Sequence, residues 1–150
     1  MPAQPMHDTS KYCSPVLGTF LYQGGRPPVG TCLKDAGFDV LVLVAKEYQP
    51  ADRYFPGVQI VRAPIDDSRL TLEEYVQAAQ AAQVVSQALA RDKKVLTTCW
   101  MGWNRSGLVN ALALVNLGVS PDKSIRLVRN ARGPRALGNQ SFVHAIHAHA

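Results

Sequence analysis

Apolar residues along the 150-residue chain occur in short runs and in longer stretches with helical spacing. The short runs at residues 40–44, 58–62 and 94–98 predict buried strands, and residues 16–22 predict an edge strand. Over residues 72–89, apolar side chains recur every three or four positions, which predicts a long amphipathic helix. The pattern is therefore one in which strands alternate with helices.

Three further helices are expected, at residues 31–36, from Pro121 onwards and at residues 141–149. Strands that alternate with helices favour a single α/β domain. This domain would have a central, mainly parallel sheet of four to five strands, flanked by helices on both faces. We expect it to span residues 16–150, and we expect the polar, proline-bearing residues 1–15 to form a flexible tail.

The composition predicts a folded protein outside the membrane. With 47% hydrophobic and 18% charged residues, the chain is not expected to be disordered. No apolar stretch approaches the roughly 18 residues of a membrane span, and no signal-peptide core is present at the start. Cys13, Cys32 and Cys99 have no metal-ligand spacing, and three cysteines suit a reducing cytoplasm better than a disulfide framework. We therefore expect a cytoplasmic protein.

The sequence Cys-Trp-Met-Gly-Trp-Asn-Arg-Ser at residues 99–106 lies between a predicted strand and an apolar helix. Backbone N–H groups at a helix N-terminus lack intrahelical partners and hold anions such as phosphate. Gly102 allows a tight turn, and the guanidinium of Arg105 can bind two phosphate oxygens. Cys99 faces the same positive environment, which favours its thiolate. The pattern predicts a nucleophile aimed at phosphorus; the alternative is a buried cysteine that ends a core strand.

The residues expected to surround a phosphate are those of the loop, namely Trp100, Met101, Gly102, Trp103, Asn104 and Arg105. Asn104 is expected to bond to backbone carbonyls and to hold the shape of the loop. Trp103 is a candidate aromatic rim for a flat substrate group. The other interpretation is that at least one of the two tryptophans packs beneath the loop.

This segment resembles the signature loop of the cysteine-dependent protein tyrosine and dual-specificity phosphatases, in particular the small, atypical dual-specificity type. The resemblance covers most of residues 16–145 and includes residues 17–27, the strand at 40–44 with Ala45-Lys46-Glu47, Asp66-Asp67, Arg132-Gly133, Asn139 and Phe142. The chain departs from the family at Thr98, where a histidine usually precedes the cysteine. We expect the Thr98 hydroxyl to replace part of the histidine's hydrogen bonding in the loop.

The resemblance implies a two-step hydrolysis with Cys99 as nucleophile, an aspartate as general acid and Ser106 as hydrogen-bond donor to the sulfur. Asp67 is followed by a serine and lies 32 residues before Cys99, which fits the family's spacing and favours Asp67 over Asp66. The alternative is that both aspartates are turn carboxylates or helix caps. Ser106 is also a candidate for bonding backbone amides at the start of its helix.

Three classes of function fit these residues. The first is hydrolysis of phosphotyrosine in proteins, with phosphoserine and phosphothreonine as further substrates. The second is the same chemistry on a phosphoinositide, a glucan, a nucleotide or an RNA 5′-phosphate. The third is a non-catalytic module that binds a phosphorylated partner. The presence of Cys99, Arg105, Ser106 and Asp67 together argues against this third class.

The partners follow from this chemistry and from the formal net charge of +5. Phosphate, sulfate or vanadate is expected to bind in the active site, and neither a membrane nor a nucleic acid is expected as a partner. No cofactor or metal is expected, since amides and Arg105 supply the electrostatic stabilisation. A late series of arginines at every third position (Arg126, Arg129, Arg132, Arg135) is either a site that steers acidic substrates or a solvated face.

Overall fold

The computed structural model describes residues 12–149, which form a five-stranded sheet and five α-helices. The strands are β1 (Cys13–Leu17), β2 (Leu21–Gly24), β3 (Val40–Ala45), β4 (Gln59–Ile65) and β5 (Val95–Thr98). The helices are α1 (Cys32–Asp35), α2 (Leu72–Ala90), α3 (Arg105–Asn116), α4 (Pro121–Arg132) and α5 (Gln140–Ala148), with a short 3₁₀ helix at Asp52–Tyr54. The predicted α/β class and the number of strands are confirmed.

The order of the strands in the sheet is β1-β2-β5-β3-β4. Strands β1 and β2 pair antiparallel, whereas β2 with β5, β5 with β3 and β3 with β4 pair parallel. The carboxyl ends of the parallel strands therefore lie at one edge of the sheet, where ligands of such folds bind. The segments that follow Gly24, Ala45, Ile65 and Thr98 come together at this edge.

Helices cover both faces of the sheet. On one face, α3 lies against the sheet and contacts α2, α4 and α5, and its first ten residues are all buried. A helix that is enclosed on all sides has no polar face to present to water, which explains the apolar run that follows Ser106. On the other face, Leu33 of α1 packs with Phe38 and Phe55 against the sheet residues Leu41 and Leu96.

Two strand predictions need correction. The expected edge strand at residues 16–22 is a hairpin of β1 and β2, because Gly18 has a φ of +54° and turns the chain between them. Strand β4 continues to Ile65 rather than ending at residue 62, and it accommodates Pro64 because β4 lies at the edge of the sheet.

The start of β1 can be compared with the predicted start of the domain at residue 16. Strand β1 begins at Cys13, so the chain joins the sheet before residue 16. Residues 1–11 of the predicted tail lie outside the described residues. Within residues 12–149, no helix is long and apolar enough to cross a membrane.

Candidate active site

A tight loop connects the end of β5 to the start of α3. Gly102 lies in its middle with a φ of +77°. A Cβ atom at this position would lie 2.5 Å from the carbonyl carbon of Gly24 and 2.7 Å from Nη2 of Arg132. Both the backbone conformation and the space at this position therefore require glycine.

Three carbonyl groups of this loop accept hydrogen bonds from residues outside the loop. The Gly102 carbonyl accepts hydrogen bonds from Gln23 Nε2 (3.1 Å) and Arg132 Nε (3.0 Å). The Met101 carbonyl accepts one from Arg132 Nη2 (3.1 Å), and the Trp103 carbonyl accepts one from the Leu137 amide (3.1 Å). In a trans peptide unit the C=O and the following N–H point in opposite directions. Because these three carbonyls point out of the loop, the amides of residues 102–104 point towards its inside.

Cys99 and Ser106 meet at the base of the loop. Their Sγ and Oγ atoms are 3.1 Å apart, and both residues are buried. Cys99 is fixed by its backbone amide, which donates to the Gly24 carbonyl of β2 (3.2 Å). A hydroxyl at this distance is able to donate a hydrogen bond to a thiolate sulfur.

Arg105 is buried at the start of α3 and is bound to a carboxylate. Its Nη1 and Nη2 donate to the two carboxylate oxygens of Glu47 (2.5 and 2.7 Å), and Nη1 also donates to the Ile65 carbonyl (3.1 Å). The hydrogen bonds from Arg105 hold the pKa of Glu47 at about 2, below its ordinary value of 4.5. The same bonds raise the pKa of Arg105.

Counting the donors of Arg105 shows which part of it remains available. A guanidinium has five N–H donors, and Glu47 and Ile65 take three of them. The buried Nε has no partner within the part of the chain that the structure describes. The Nε–H and the remaining Nη2–H are parallel on one edge of the planar group, the arrangement that binds two oxygens of a phosphate.

The two adjacent aspartates have different surroundings. The carboxylate of Asp67 accepts hydrogen bonds from Asn104 Nδ2 (2.9 Å) on the loop and from Asn139 Nδ2 (3.1 Å) before α5. Asp66 instead forms an ion pair with Lys46 (3.6 Å). Of the two, only Asp67 lines the same cavity as Cys99.

This cavity has a volume of about 380 Å³ and is lined by Glu47, Asp67, Cys99, Trp100, Met101, Trp103, Asn104 and Arg105. It brings together Cys99, Arg105 and Asp67, as the sequence predicted, with Ser106 directly behind the sulfur. Within residues 12–149 there is no group of three His, Cys, Asp or Glu side chains that could hold a metal ion.

Three expectations about loop side chains need correction. Thr98 donates its hydroxyl proton to the Val42 carbonyl of β3 (3.0 Å) and not to the loop, because its short side chain reaches only the adjacent strand. Asn104 bonds to the Asp67 carboxylate and to the Asn139 amide rather than to carbonyls, since it faces the acidic turn. Neither tryptophan is buried beneath the loop: Trp100 is 38% exposed and Trp103 is half-buried.

Several supporting residues were not identified from the sequence. Glu47 was part of the resemblance, but no role was assigned to it. Gln23 holds Gly102 and in turn accepts a hydrogen bond from Asn110 Nδ2 (3.2 Å), so that a buried polar chain runs behind the loop. This polar chain could have been recognised from the sequence, because Gln23 in β2 and Asn110 in α3 are polar residues within apolar segments.

Comparison with known proteins defines the fold. No protein-family model and no curated protein sequence matches the chain. A mouse dual-specificity phosphatase, solved as a complex with zinc tungstate, is 26% identical with a TM-score of 0.78 and covers 99% of this chain and 89% of its own. Human DUSP28 is 24% identical with a TM-score of 0.78, with coverage of 99% and 95%. PTPMT1, solved in complex with PI(5)P, is 15% identical with a TM-score of 0.75, with coverage of 91% and 93%. The expected fold and the resemblance to dual-specificity phosphatases are confirmed.

Proposed function

We propose that the protein is a cysteine-dependent phosphatase that hydrolyses phosphate monoesters through a cysteinyl-phosphate intermediate. The observation that carries the proposal is the convergence of Cys99, Arg105 and Asp67 on one cavity, with the Ser106 hydroxyl 3.1 Å from the sulfur. Each group is of the type that one step of this reaction needs.

In the first step, the Cys99 thiolate attacks phosphorus and the bond to the leaving oxygen breaks. The free edge of Arg105 and the inward amides of the loop bind the non-bridging oxygens, whose charge is spread in the transition state. Asp67 gives its proton to the leaving oxygen, so that an alcohol or a phenol departs rather than its anion.

In the second step, a water molecule attacks the phosphorus of the cysteinyl-phosphate. Asp67, now a carboxylate, accepts a proton from this water, and the S–P bond breaks to release phosphate and the Cys99 thiolate. Ser106 donates its hydroxyl hydrogen bond to the departing sulfur, which makes the thiolate a better leaving group. The hydrogen bonds from Asn104 and Asn139 hold the Asp67 side chain at the cavity.

The substrates that we propose are phosphotyrosine residues of proteins, with phosphoserine and phosphothreonine as further substrates. Exposed aromatic and apolar side chains of the loop, Trp100 and Met101, line the cavity and offer contacts to a phenyl ring. A non-protein phosphomonoester is the second candidate, and the neighbour solved with PI(5)P supports it. The cytoplasmic location stays a prediction from cysteine usage.

The test is hydrolysis of p-nitrophenyl phosphate without metal, measured against pH. We expect a bell-shaped profile in the wild type, no turnover in Cys99→Ser, and loss of the alkaline limb in Asp67→Asn, because that limb reports deprotonation of the acid. Asp66→Asn is the matched control and should keep both limbs, since Asp66 pairs with Lys46 outside the cavity.

Binding of vanadate is measured in parallel by calorimetry, and Cys99→Ser should still bind phosphate. Wild-type protein that binds vanadate but turns over neither p-nitrophenyl phosphate nor phosphotyrosine peptides would overturn the proposal in favour of a phosphate-binding module. Turnover by Cys99→Ser near the wild-type rate would remove the nucleophile assignment.

A further inference from the structure

Asn104, the last residue of the loop before α3, binds the candidate acid through its side chain. Its Nδ2 donates to Oδ2 of Asp67 (2.9 Å), and its Oδ1 accepts from the backbone amide of Asn139 (3.3 Å). A carboxylate only accepts and a backbone amide only donates, so these two partners fix the orientation of the Asn104 amide group. The backbone amide of Asn104 thus points into the loop while its side chain binds the acid.

The two carboxylate oxygens of Asp67 have different surroundings. Oδ2 accepts from Asn104, which lines the catalytic cavity, whereas Oδ1 accepts from Nδ2 of Asn139 (3.1 Å), which does not line it. Oδ2 is therefore the oxygen on the side of the loop, and Oδ1 is the oxygen on the side of α5. A proton carried by Oδ2 lies on the cavity side of the carboxyl group, and a proton carried by Oδ1 lies on the far side.

The loop has supports for its shape that do not involve the Asn104 side chain. The carbonyls of residues 101–103 accept hydrogen bonds from Gln23, Arg132 and the Leu137 amide. The Nδ2 group of Asn104 donates to none of these carbonyls, because its hydrogen bond leaves the loop and reaches Asp67. The contact between Asn104 and Asp67 therefore serves the carboxyl group rather than the path of the loop.

The backbone of the acidic turn is also held by hydrogen bonds in which Asn104 takes no part. They run from the Leu70 amide to Ser141 Oγ (3.0 Å), from the Asp66 amide to Glu74 Oε2 (2.9 Å) and from Asn139 Nδ2 to the Ser68 carbonyl (2.8 Å). Loss of the Asn104 side chain would thus leave the turn in place and release the Asp67 carboxyl group on its cavity side. Asn104 acts on the side-chain rotamer of Asp67.

We infer that Asn104 is a positioning residue that holds Oδ2 of Asp67 towards the leaving oxygen, and that Oδ2 carries the proton that is transferred. This inference rests on the proposed function and assigns its proton donor to one atom. As the S–P bond forms, the bond from phosphorus to the leaving oxygen breaks and its electron pair goes to that oxygen, which takes the proton from Oδ2. A protonated Oδ2 still has a lone pair that accepts from Asn104, so the contact persists until the proton is transferred.

The experiment measures kcat/KM for aryl phosphates whose phenols differ in acidity, from p-nitrophenyl phosphate to phenyl phosphate. This parameter reports the step in which the phenol leaves, and a well-placed acid makes that step depend little on the leaving group. In Asn104→Ala, kcat/KM for phenyl phosphate should fall about tenfold to a hundredfold. The ratio of kcat/KM for p-nitrophenyl phosphate to that for phenyl phosphate should rise about threefold to tenfold, as it should in Asp67→Asn. Vanadate affinity should stay within about twofold, since the backbone amides remain.

Asn116→Ala is the matched control. Asn116 is the exposed last residue of α3, and its Oδ1 lies 2.8 Å from Nε2 of His149. The same side chain is removed there at the opposite end of the helix, so the ratio between the two substrates should remain that of the wild type. The double variant Asn104→Ala with Asp67→Asn should have the ratio of Asp67→Asn alone, because a residue that acts through Asp67 has no further effect once the acid is gone.

The outcomes separate this inference from the proposed function. An unchanged ratio in Asn104→Ala, with a raised ratio in Asp67→Asn, would overturn the positioning role and leave the phosphatase and its acid standing. An equal reduction of kcat/KM by Asn104→Ala with and without Asp67 would overturn it as well. Loss of vanadate binding in Asn104→Ala would also overturn it, because the side chain would then belong to the anion site. A ratio that Asp67→Asn leaves unchanged would instead remove Asp67 as the acid of the proposed function.

Discussion

The ion pair between Glu47 and Arg105 connects the stability of the fold to the geometry of the active site. The change that tests this connection is Glu47→Gln, which keeps the size of the side chain and removes its charge. In the native protein the carboxylate accepts from both terminal nitrogens of Arg105, whose side chain is only 7% exposed. The variant leaves this buried cation with the Ile65 carbonyl and one side-chain amide oxygen as acceptors, and with no carboxylate bound to it.

The magnitude follows from the pKa of Glu47, which Arg105 lowers from 4.5 to about 2. Converted in full, this difference corresponds to about 3 kcal/mol of stability. Because the Glu47 side chain is 47% exposed, solvent screens the pair, and we expect about 1 to 2 kcal/mol. A lowered carboxyl pKa stabilises the folded state above pH 4.5, and this contribution is lost as the pH falls towards 2.

The assay is urea denaturation of the wild type and Glu47→Gln at pH 7 and at several acidic pH values, together with kcat/KM at neutral pH. The stability difference should be largest at pH 7 and shrink with acidification, and kcat/KM should fall about tenfold to a hundredfold because Arg105 loses its fixed orientation. Asp52→Asn, which breaks the exposed pair of Asp52 with Arg62, is the control and should cost less than about 0.5 kcal/mol. A stability difference that stays constant from pH 7 down to pH 3, or unchanged kcat/KM, would refute the reasoning.

Two further predictions concern other parts of the fold. Gly102→Ala should abolish phosphate binding and turnover, because the added Cβ atom would clash with Gly24. Gly118→Ala is the control and should keep activity, because Gly118 has a φ of +94° but lies in open space. Equal activity of the two variants would contradict the steric argument. His149 accepts from Tyr75 (2.5 Å) and burial lowers its pKa, so the folded state favours the neutral ring and loses stability as the pH falls below the ordinary value of 6.5. His149→Ala should flatten this part of the stability profile in pH-dependent denaturation, and an unchanged slope would exclude His149 as its source.

Much of the fold could be predicted from local patterns. Helix α2 has apolar positions every three or four residues and begins with a capping box formed by Thr71 and Glu74, so its position needs no tertiary information. Strands β3 and β5 are short, wholly buried runs and were equally clear. The hairpin of β1 and β2 was missed because a single glycine at a positive φ decides whether an apolar run is one strand or two.

The active site was predictable to the extent that its residues follow one another in the chain. Cys99, Arg105 and Ser106 lie on one strand-loop-helix unit, whose context indicates the chemistry of Cys99 and Arg105, and the resemblance to the phosphatases implied the role of Ser106. Glu47 comes from the end of another strand, and only the order of the sheet shows that it reaches Arg105. Asp67 also lies far from the loop in the sequence, and it was found through the resemblance to the phosphatases rather than from a local pattern.

The same distinction explains why the loop needs the rest of the domain. An isolated strand-loop-helix segment could not keep its carbonyls turned outwards, because the groups that hold them, Gln23, Arg132 and the Leu137 amide, come from β2, from α4 and from the segment after α4. The orientation of the loop amides, and with it the proposed affinity for phosphate, thus depends on the whole sheet and its helices. A motif search detects the cysteine that we propose as the nucleophile, but the strength of the proposed anion site depends on residues that lie outside the motif.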